Sequence, residues 1–124
     1  MPITYRFEGG FIFTSIEGET GYADVKAYMD QLVRDPSFTP GMSGVVDCRR
    51  VTSRFSITDL RRTAADVKSR PQMQVPSRAA VLASSNLVYG LLRMYEVFSD
   101  GDPVEIRVFR RPEDAMAWLT GTKR

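Results

Sequence analysis

A cluster of charged and hydroxyl side chains lies between two predicted secondary-structure elements, at residues 47–56. It contains one acid, three arginines and two serines: Asp47, Arg49, Arg50, Ser53, Arg54 and Ser56. The amino end of a helix carries partial positive charge and free backbone amides, so arginines beside a helix start favour an anion. The cluster therefore predicts weak binding of phosphate, sulfate or a carboxylate. Two structural roles stay open as alternatives: Asp47 as a turn acid bonded to local backbone amides, and Ser56 as a helix cap.

A second polar junction precedes the next predicted helix, where Ser84, Ser85 and Asn86 follow an apolar run. Any of the three side chains can cap that helix. In an open α/β sheet the carboxyl ends of parallel strands meet at one edge, which is where ligands gather. We therefore expect Ser84 and Ser85 at the same edge as Asp47, where they extend the candidate anion site.

The residue types argue against catalysis. The chain has no histidine, so it lacks the usual near-neutral general base and the commonest metal ligand. Cys48 is the only cysteine, and within an apolar run it is expected to be a small buried strand residue. The glycines form no phosphate-binding loop, and no pair of carboxylates stands out as acid and base. We expect no enzymatic activity, no cofactor and no bound metal.

Length and charge indicate one ordinary globular domain. The chain has 124 residues, of which 43% are hydrophobic and 26% charged, and its net charge is +2. We expect a single domain over residues 1–124. So small a net charge is unfavourable for nucleic-acid binding. The lone cysteine, the lack of a signal-peptide pattern and the lack of an apolar run of membrane-spanning length favour the cytoplasm.

Residue patterns in the first half of the chain predict three elements. Residues 3–16 alternate around Glu8-Gly9-Gly10 as a β-hairpin. Thr20 is the expected cap of a first helix, which the segment Asp35-Pro36 ends. The near-continuous apolar run at 44–48 predicts a central strand covered on both faces.

The second half repeats a strand and helix order. Ser56-Ile57-Thr58-Asp59 reads as a capping box for a second helix that runs until Pro71. Strand 79–83, a third helix ending near Ser99, strand 104–109 and a last helix starting at Pro112 follow. The predicted fold class is α/β: a mixed sheet of about five strands, with an antiparallel hairpin continuing into parallel strands, and about four helices.

Three stretches of sequence carry a family resemblance. They are Gly44-Val45-Val46-Asp47 ahead of a hydroxyl-rich helix start, Leu87-Val88-Tyr89-Gly90-Leu91-Leu92-Arg93-Met94, and the tail with Val104-Glu105-Ile106-Arg107-Val108-Phe109 and Glu113-Asp114-Ala115-Met116-Ala117-Trp118-Leu119. Together with the element order, they resemble the SpoIIAA-like, STAS-type domains over nearly the whole chain. The resemblance implies a small non-enzymatic regulator, as in the anti-sigma-factor antagonists, switched by phosphorylation of a Ser or Thr that follows an Asp at the start of the second helix.

The sequence departs from the family at that switch. Arg54-Phe55-Ser56-Ile57 stands where the family has Asp-Ser-x-Gly, so Ser56 is merely the nearest hydroxyl. Other relatives of the fold resemble lipid-binding domains, which keeps an apolar ligand open.

The third predicted helix is apolar around most of its circumference. At ~100° per residue, Leu87, Leu91, Met94, Tyr95 and Phe98 share one face, which we expect to cover the sheet. The remaining apolar side chains and two charged ones are candidates for an exposed interface with a polar rim: Tyr89, Leu92, Val97, Arg93 and Glu96. A two-fold homodimer is the simplest such assembly, and the alternative is that flanking loops cover these side chains.

Two functions follow from these observations. The first is a non-enzymatic regulatory module that docks a protein partner, or a second copy of itself, and is gated by phosphate or another anion at a helix start. The alternative is a carrier of a small molecule or lipid, which needs an internal apolar pocket with a few converging polar groups.

Overall fold

Five strands and four helices make up the described part of the chain. The computed structural model describes residues 2–52 and 55–121. The strands are β1 (Ile3–Glu8), β2 (Phe11–Gly18), β3 (Gly44–Val51), β4 (Ser77–Leu82) and β5 (Val104–Phe109). The helices are α1 (Tyr22–Arg34), α2 (Ile57–Lys68), α3 (Asn86–Phe98) and α4 (Pro112–Leu119), and a 3-10 turn, Pro71–Met73, precedes β4. Within these residues, no helix is both long and apolar enough to cross a membrane.

The strands form one mixed sheet in the order β1-β2-β3-β4-β5. β1 pairs with β2 in antiparallel orientation, and each later pair is parallel. This arrangement confirms the predicted α/β class, in which the hairpin continues into parallel strands. β3 is central, as its apolar run predicts, and it continues to Val51 rather than ending at Cys48.

Glycines make the hairpin and the close approach of β2 to β3. Gly9 and Gly10 both have positive φ, +60° and +84°, as a two-residue hairpin turn of type I′ requires. At Gly44, which begins β3, a Cβ atom would come within 2.4 Å of the Ile12 carbonyl oxygen. A side chain at position 44 would therefore push β3 away from β2.

The helices cover the two faces of the sheet unequally. The parallel strands are neighbours in chain order, so right-handed crossovers place α1, α2 and α3 together on one face. The core on that side includes Cys48, Val88 and Leu92. α4 packs on the opposite face, where Trp118 and Leu119 share a core cluster with Val45. Because α4 has eight residues and lies on β3, β4 and β5, it leaves the β1 and β2 part of that face uncovered.

At three of the four helix starts, the observed first residues match those predicted from the sequence. Ser56 accepts a hydrogen bond from the Asp59 amide at 3.0 Å, and Ser85 accepts one from Val88 at 3.1 Å. Pro112 is the first residue of α4, as predicted. The prediction of Thr20 as the cap of α1 is wrong.

α1 begins one residue later than predicted, with Gly21 as its cap. The Asp24 carboxylate accepts the Gly21 amide at 3.0 Å, while the Thr20 hydroxyl donates to the Glu17 carbonyl at 3.2 Å. The acid in the first turn therefore takes the role that the threonine was expected to have.

The sheet-facing side of α3 differs from the prediction. Val88 and Leu92 are buried, whereas Leu87 is 51% exposed. The expectation that Leu92 lies on the surface is wrong, and so is the placing of Leu87 in the core. Apolar residues surround most of this helix, so the sequence has no sharp polar stripe to fix its rotation, and packing against β5 and α2 decides it.

Candidate functional site

Asp47 and Arg49, the first two residues of the predicted anion cluster, form a bidentate ion pair with each other. The guanidinium donates from Nε to Asp47 Oδ1 at 2.9 Å and from Nη2 to Oδ2 at 2.8 Å. The backbone amide of Arg49 also donates to Oδ1 at 3.0 Å. These hydrogen bonds lower the pKa of the Asp47 carboxyl. Asp47 therefore makes the local amide contact of a turn acid, and Arg49 is already occupied.

The other members of the cluster are less constrained or lie elsewhere. Arg50 has a long contact of 3.9 Å to Glu17, with its side chain 63% exposed. Ser56 caps α2, and its hydroxyl accepts a backbone amide there. Ser53 and Arg54 lie outside the described residues. The anion site stays a prediction. Among the arginines of the cluster that the structure describes, Arg50 has the weaker contact to a carboxylate and is the more available for an anion.

The carboxyl ends of β3, β4 and β5 meet at one edge, as expected for parallel strands. The Ser84 hydroxyl donates to the Arg49 carbonyl at 3.1 Å, which joins the two predicted junctions. Arg110, directly after β5, donates to the Ser84 carbonyl at 3.0 Å and to Asn86 Oδ1 at 2.9 Å, and it lies 4.2 Å over the Tyr89 ring. Ser85 is occupied as the cap of α3.

The sequence analysis did not predict Arg110 as a residue of this edge, although its position after β5 indicates it. It follows the third parallel strand, whose end lies at the same edge. Extending the edge rule from β3 and β4 to β5 would have found it.

A groove lies on the sheet face that α4 leaves partly uncovered. We call it the sheet groove and define it by Arg6, Phe13, Ser15, Asp47, Arg49 and Met116; its volume is about 410 Å³. Phe13 and Val45, which pair across β2 and β3, form an apolar floor, and Met116 of α4 forms one wall. The rim carries Asp47, Arg49 and Arg50. Three of the predicted site residues are thus brought together in a concave surface.

Arg6, which is exposed, and Phe13, which is half-buried, form a cation–π contact in the sheet groove. They pair across β1 and β2, and the Arg6 guanidinium lies 4.6 Å from the centroid of the Phe13 ring. Arg6 also pairs with Glu8 on the same strand. The sequence contains a signal for this surface, because β2 has large side chains on both of its faces: Phe11 and Phe13 alternate with Ile12 and Thr14.

A cavity lies on the other face of the sheet, beneath α1, α2 and α3. This helix-side cavity has a volume of about 150 Å³ and is lined mainly by apolar side chains, including Met29, Met42 and Met73. Its polar groups include the hydroxyls of Thr14 and Tyr28, which are 2.6 Å apart. Burial raises the pKa of Tyr28 to about 12 and that of Tyr95, which also lines the cavity, to about 12. Both phenols are therefore neutral at physiological pH.

The buried thiol is not a nucleophile at neutral pH. Cys48 is 5% exposed, which confirms the prediction of a small buried strand residue. Burial, aided by the charge of Asp47, raises the pKa of Cys48 to about 12. In the described ranges, no three His, Cys, Asp or Glu side chains are grouped so that they could hold a metal ion.

The predicted interface residues of α3 have separate environments. Val97 is 71% exposed and Leu92 is buried. Glu96 accepts a hydrogen bond from the Val108 amide at 2.6 Å and pairs with Arg93 at 3.5 Å. Glu96 therefore occupies part of the free edge of β5. The Tyr89 ring lies beneath the Arg110 guanidinium. The homodimer stays a prediction that now depends on Val97, and Leu87, near the other end of α3, is the helix's second exposed large apolar side chain.

Comparisons with known proteins identify the fold. No protein-family model matches the chain, and no curated protein matches it. An uncharacterised protein of the DUF3478 family from Shewanella loihica PV-4, solved by crystallography and described as having a SpoIIAA-like fold, is similar in structure. The TM-score is 0.58 at 18% sequence identity, and the similarity covers 94% of this chain and 91% of that one. The chain has a SpoIIAA-like fold, as the sequence resemblance implied.

Proposed function

We propose that this chain is a non-enzymatic interaction domain that binds a protein partner in the sheet groove. The observation that carries the proposal is the incomplete cover of one sheet face, which leaves Phe13 only half-buried beneath the exposed Arg6. Aromatic residues and arginine are enriched where protein interfaces bind most strongly. The apolar floor and the charged rim of the groove match that composition. The SpoIIAA-like fold, which includes STAS-type regulators, supports the same class of function.

The chemistry of the described side chains supports binding rather than catalysis. The chain contains no histidine. The Cys48 thiol is protonated at neutral pH because burial raises its pKa to about 12. The Asp47 carboxylate has both oxygens occupied by Arg49, so it is held as an ionised partner rather than as a proton acceptor.

Anion gating is the finer part of the proposal. A phosphate at the rim of the groove would contact Arg50 first, because its carboxylate partner Glu17 is 3.9 Å away. To reach Arg49, the phosphate must displace Asp47 from two charge-assisted hydrogen bonds. A phosphate carried by the partner would therefore loosen the Asp47 and Arg49 pair at the moment of docking.

A pull-down with two matched arginine variants tests the docking proposal. Arg6 and Arg107 lie in the same row of the sheet, and each lies over an aromatic ring, at 4.6 Å from Phe13 and 5.4 Å from Trp118 respectively. Purified wild type, Arg6→Glu and Arg107→Glu are used as baits in extract of the source organism. We expect a stoichiometric partner that Arg6→Glu loses and Arg107→Glu keeps. Equal recovery by all three baits contradicts docking in the groove.

A lipid carrier is less well supported. Pockets for drug-sized ligands are about 300–1,000 Å³, and the helix-side cavity has about 150 Å³. The cavity is therefore too small for a whole acyl lipid.

A further inference from the structure

We propose that the helix-side cavity binds a small neutral molecule, about the size of benzene, that carries one hydrogen-bond acceptor such as a carbonyl oxygen. Helices α1, α2 and α3 cover this site, whereas the sheet groove lies on the other face of the sheet, and two strand residues, Thr14 and Val45, border both. The proposal is therefore independent of protein docking. It rests on the volume of the cavity, on the hydrogen-bonded hydroxyls of Thr14 and Tyr28, and on the partners of the charged residues that line it.

Volume sets the size of the ligand. The cavity holds about 150 Å³, and an apolar cavity of about that volume in another protein stays dry and admits benzene. A compact ring compound fits, whereas an acyl chain does not.

The Thr14 and Tyr28 pair sets the polarity of the ligand. Each side chain has one hydroxyl proton, and the single bond of 2.6 Å between the two oxygens uses one of these protons. Thr14 is 3% exposed, so bulk water does not readily accept a hydrogen bond from the second hydroxyl proton. The phenol of Tyr28 keeps its proton at physiological pH. The pair therefore offers a donor to the cavity, and an acceptor oxygen on the ligand would satisfy it.

The charged residues that line the cavity already have partners, which favours a neutral ligand. The Arg78 guanidinium donates to the Trp118 carbonyl at 2.7 Å. The Asp102 carboxylate has the Lys68 ammonium at 3.6 Å. A carboxylate in the cavity would lose its hydration without gaining either cation, which is costly.

Flexible side chains line part of the cavity. Met29, Met42 and Met73 are among its lining residues, and unbranched thioether side chains adapt to the shape of a ligand. Gly41, which has φ +92°, also lines it, and a Cβ atom there would be 2.9 Å from Val75 Cγ1. The loop around Gly41 therefore packs directly against Val75, and a side chain at position 41 would disturb this wall of the cavity.

Methyl NMR on the methionines tests the site. Wild type is titrated with two neutral probes, cyclohexanone and toluene, and with the anion benzoate. We expect saturable shifts at Met29, Met42 and Met73 with both neutral probes and none with benzoate. Met94 and Met116, outside the cavity, serve as internal controls.

Two variants separate cavity binding from general adhesion. Ala79→Leu fills the cavity from β4 and should weaken both neutral probes at least tenfold, whereas Ala65→Leu, the same change on the exposed side of α2, should weaken neither. The double variant Thr14→Val/Tyr28→Phe removes both hydroxyls with little change of shape. It should weaken cyclohexanone about two- to tenfold, the usual effect of one hydrogen bond, and leave toluene unchanged.

Several results would overturn the proposal. These are unchanged binding of toluene to Ala79→Leu, equal loss of both probes in the double variant, and shifts of equal size at Met94 or Met116. Displacement of the probes by decanoate would assign the cavity to acyl chains and would contradict it as well. Circular dichroism melting of each variant checks that the fold is kept.

Discussion

Asp47 and Arg49 form a two-pronged ion pair on the central strand, where its pairing with β4 ends, with both carboxylate oxygens within 2.9 Å of guanidinium nitrogens. They are two residues apart on β3, so the pair fixes the side chains at the rim of the sheet groove. Its effects on stability and on anion binding can be measured separately.

The first prediction concerns stability in acid. The hydrogen bonds from Arg49 lower the pKa of Asp47 in the folded state, so the carboxylate stabilises the fold above the unfolded value of about 3.9. That stabilisation is lost as the pH falls through the folded pKa. We expect urea unfolding at pH 7 and pH 2.5 to show a fall in unfolding free energy that is about 1 kcal/mol smaller for Asp47→Asn than for wild type.

Glu17→Gln is the control for this measurement, because Glu17 has only a long, exposed contact to Arg50. It should follow the wild-type pH dependence. An Asp47→Asn variant with the same acid sensitivity as wild type would show that the pair contributes nothing to stability.

The second prediction concerns phosphate. Because Asp47 occupies Arg49, Asp47→Asn should strengthen phosphate binding roughly three- to tenfold, and Arg49→Ala/Arg50→Ala should abolish it. Amide shifts over residues 49–60 report the binding in an NMR titration. Shifts of the same size after both arginines are removed would exclude this anion site.

The fold could be predicted from the sequence because its signals are local. Gly9-Gly10 specifies the hairpin turn, Ser56 and Ser85 cap their helices, and the apolar run beginning at Gly44 forms the buried central strand. Each of these features depends on residues within a few positions of one another. The chain order of strands and helices then determines which face each helix covers.

The sites were harder to predict because they combine distant residues. The sheet groove exists because α4 is too short to cover β2, and Phe13 and Met116 are more than a hundred positions apart. The helix-side cavity depends on how three helices and the three segments that follow them pack, which no local pattern records. The predicted rotation of α3 was wrong for a related reason. Apolar residues lie on nearly every side of this helix, so tertiary contacts decide that Leu92, rather than Leu87, is buried.

The third prediction compares two apolar positions on α3. Leu92 is buried against the sheet and Val97 is 71% exposed. Leu92→Ala should lower the free energy of unfolding by about 2–5 kcal/mol, whereas Val97→Ala should change it by less than about 0.5 kcal/mol. Urea denaturation measures both. Similar values for the two variants would mean that α3 is rotated relative to the described packing.

The fourth prediction concerns the α3 homodimer. Val97→Glu places a charge on the exposed side without disturbing the core, so it should convert a dimer into monomers in sedimentation equilibrium. Ala23→Glu, which adds the same charge on the exposed side of α1, a helix that packs against α2 rather than α3, is the control and should leave the dimer intact. A wild type that is monomeric at tens of micromolar would rule out the dimer.

Site-specific photo-crosslinking tests docking in the sheet groove most directly. A photoreactive phenylalanine analogue is placed at position 13, in the groove, and separately at position 97, on the outer side of α3, and each protein is expressed in the source organism. We predict a crosslink to one partner protein from position 13, lost when Arg6→Glu is added and kept with Arg107→Glu. A partner that crosslinks from position 97 and not from position 13 would contradict docking in the groove.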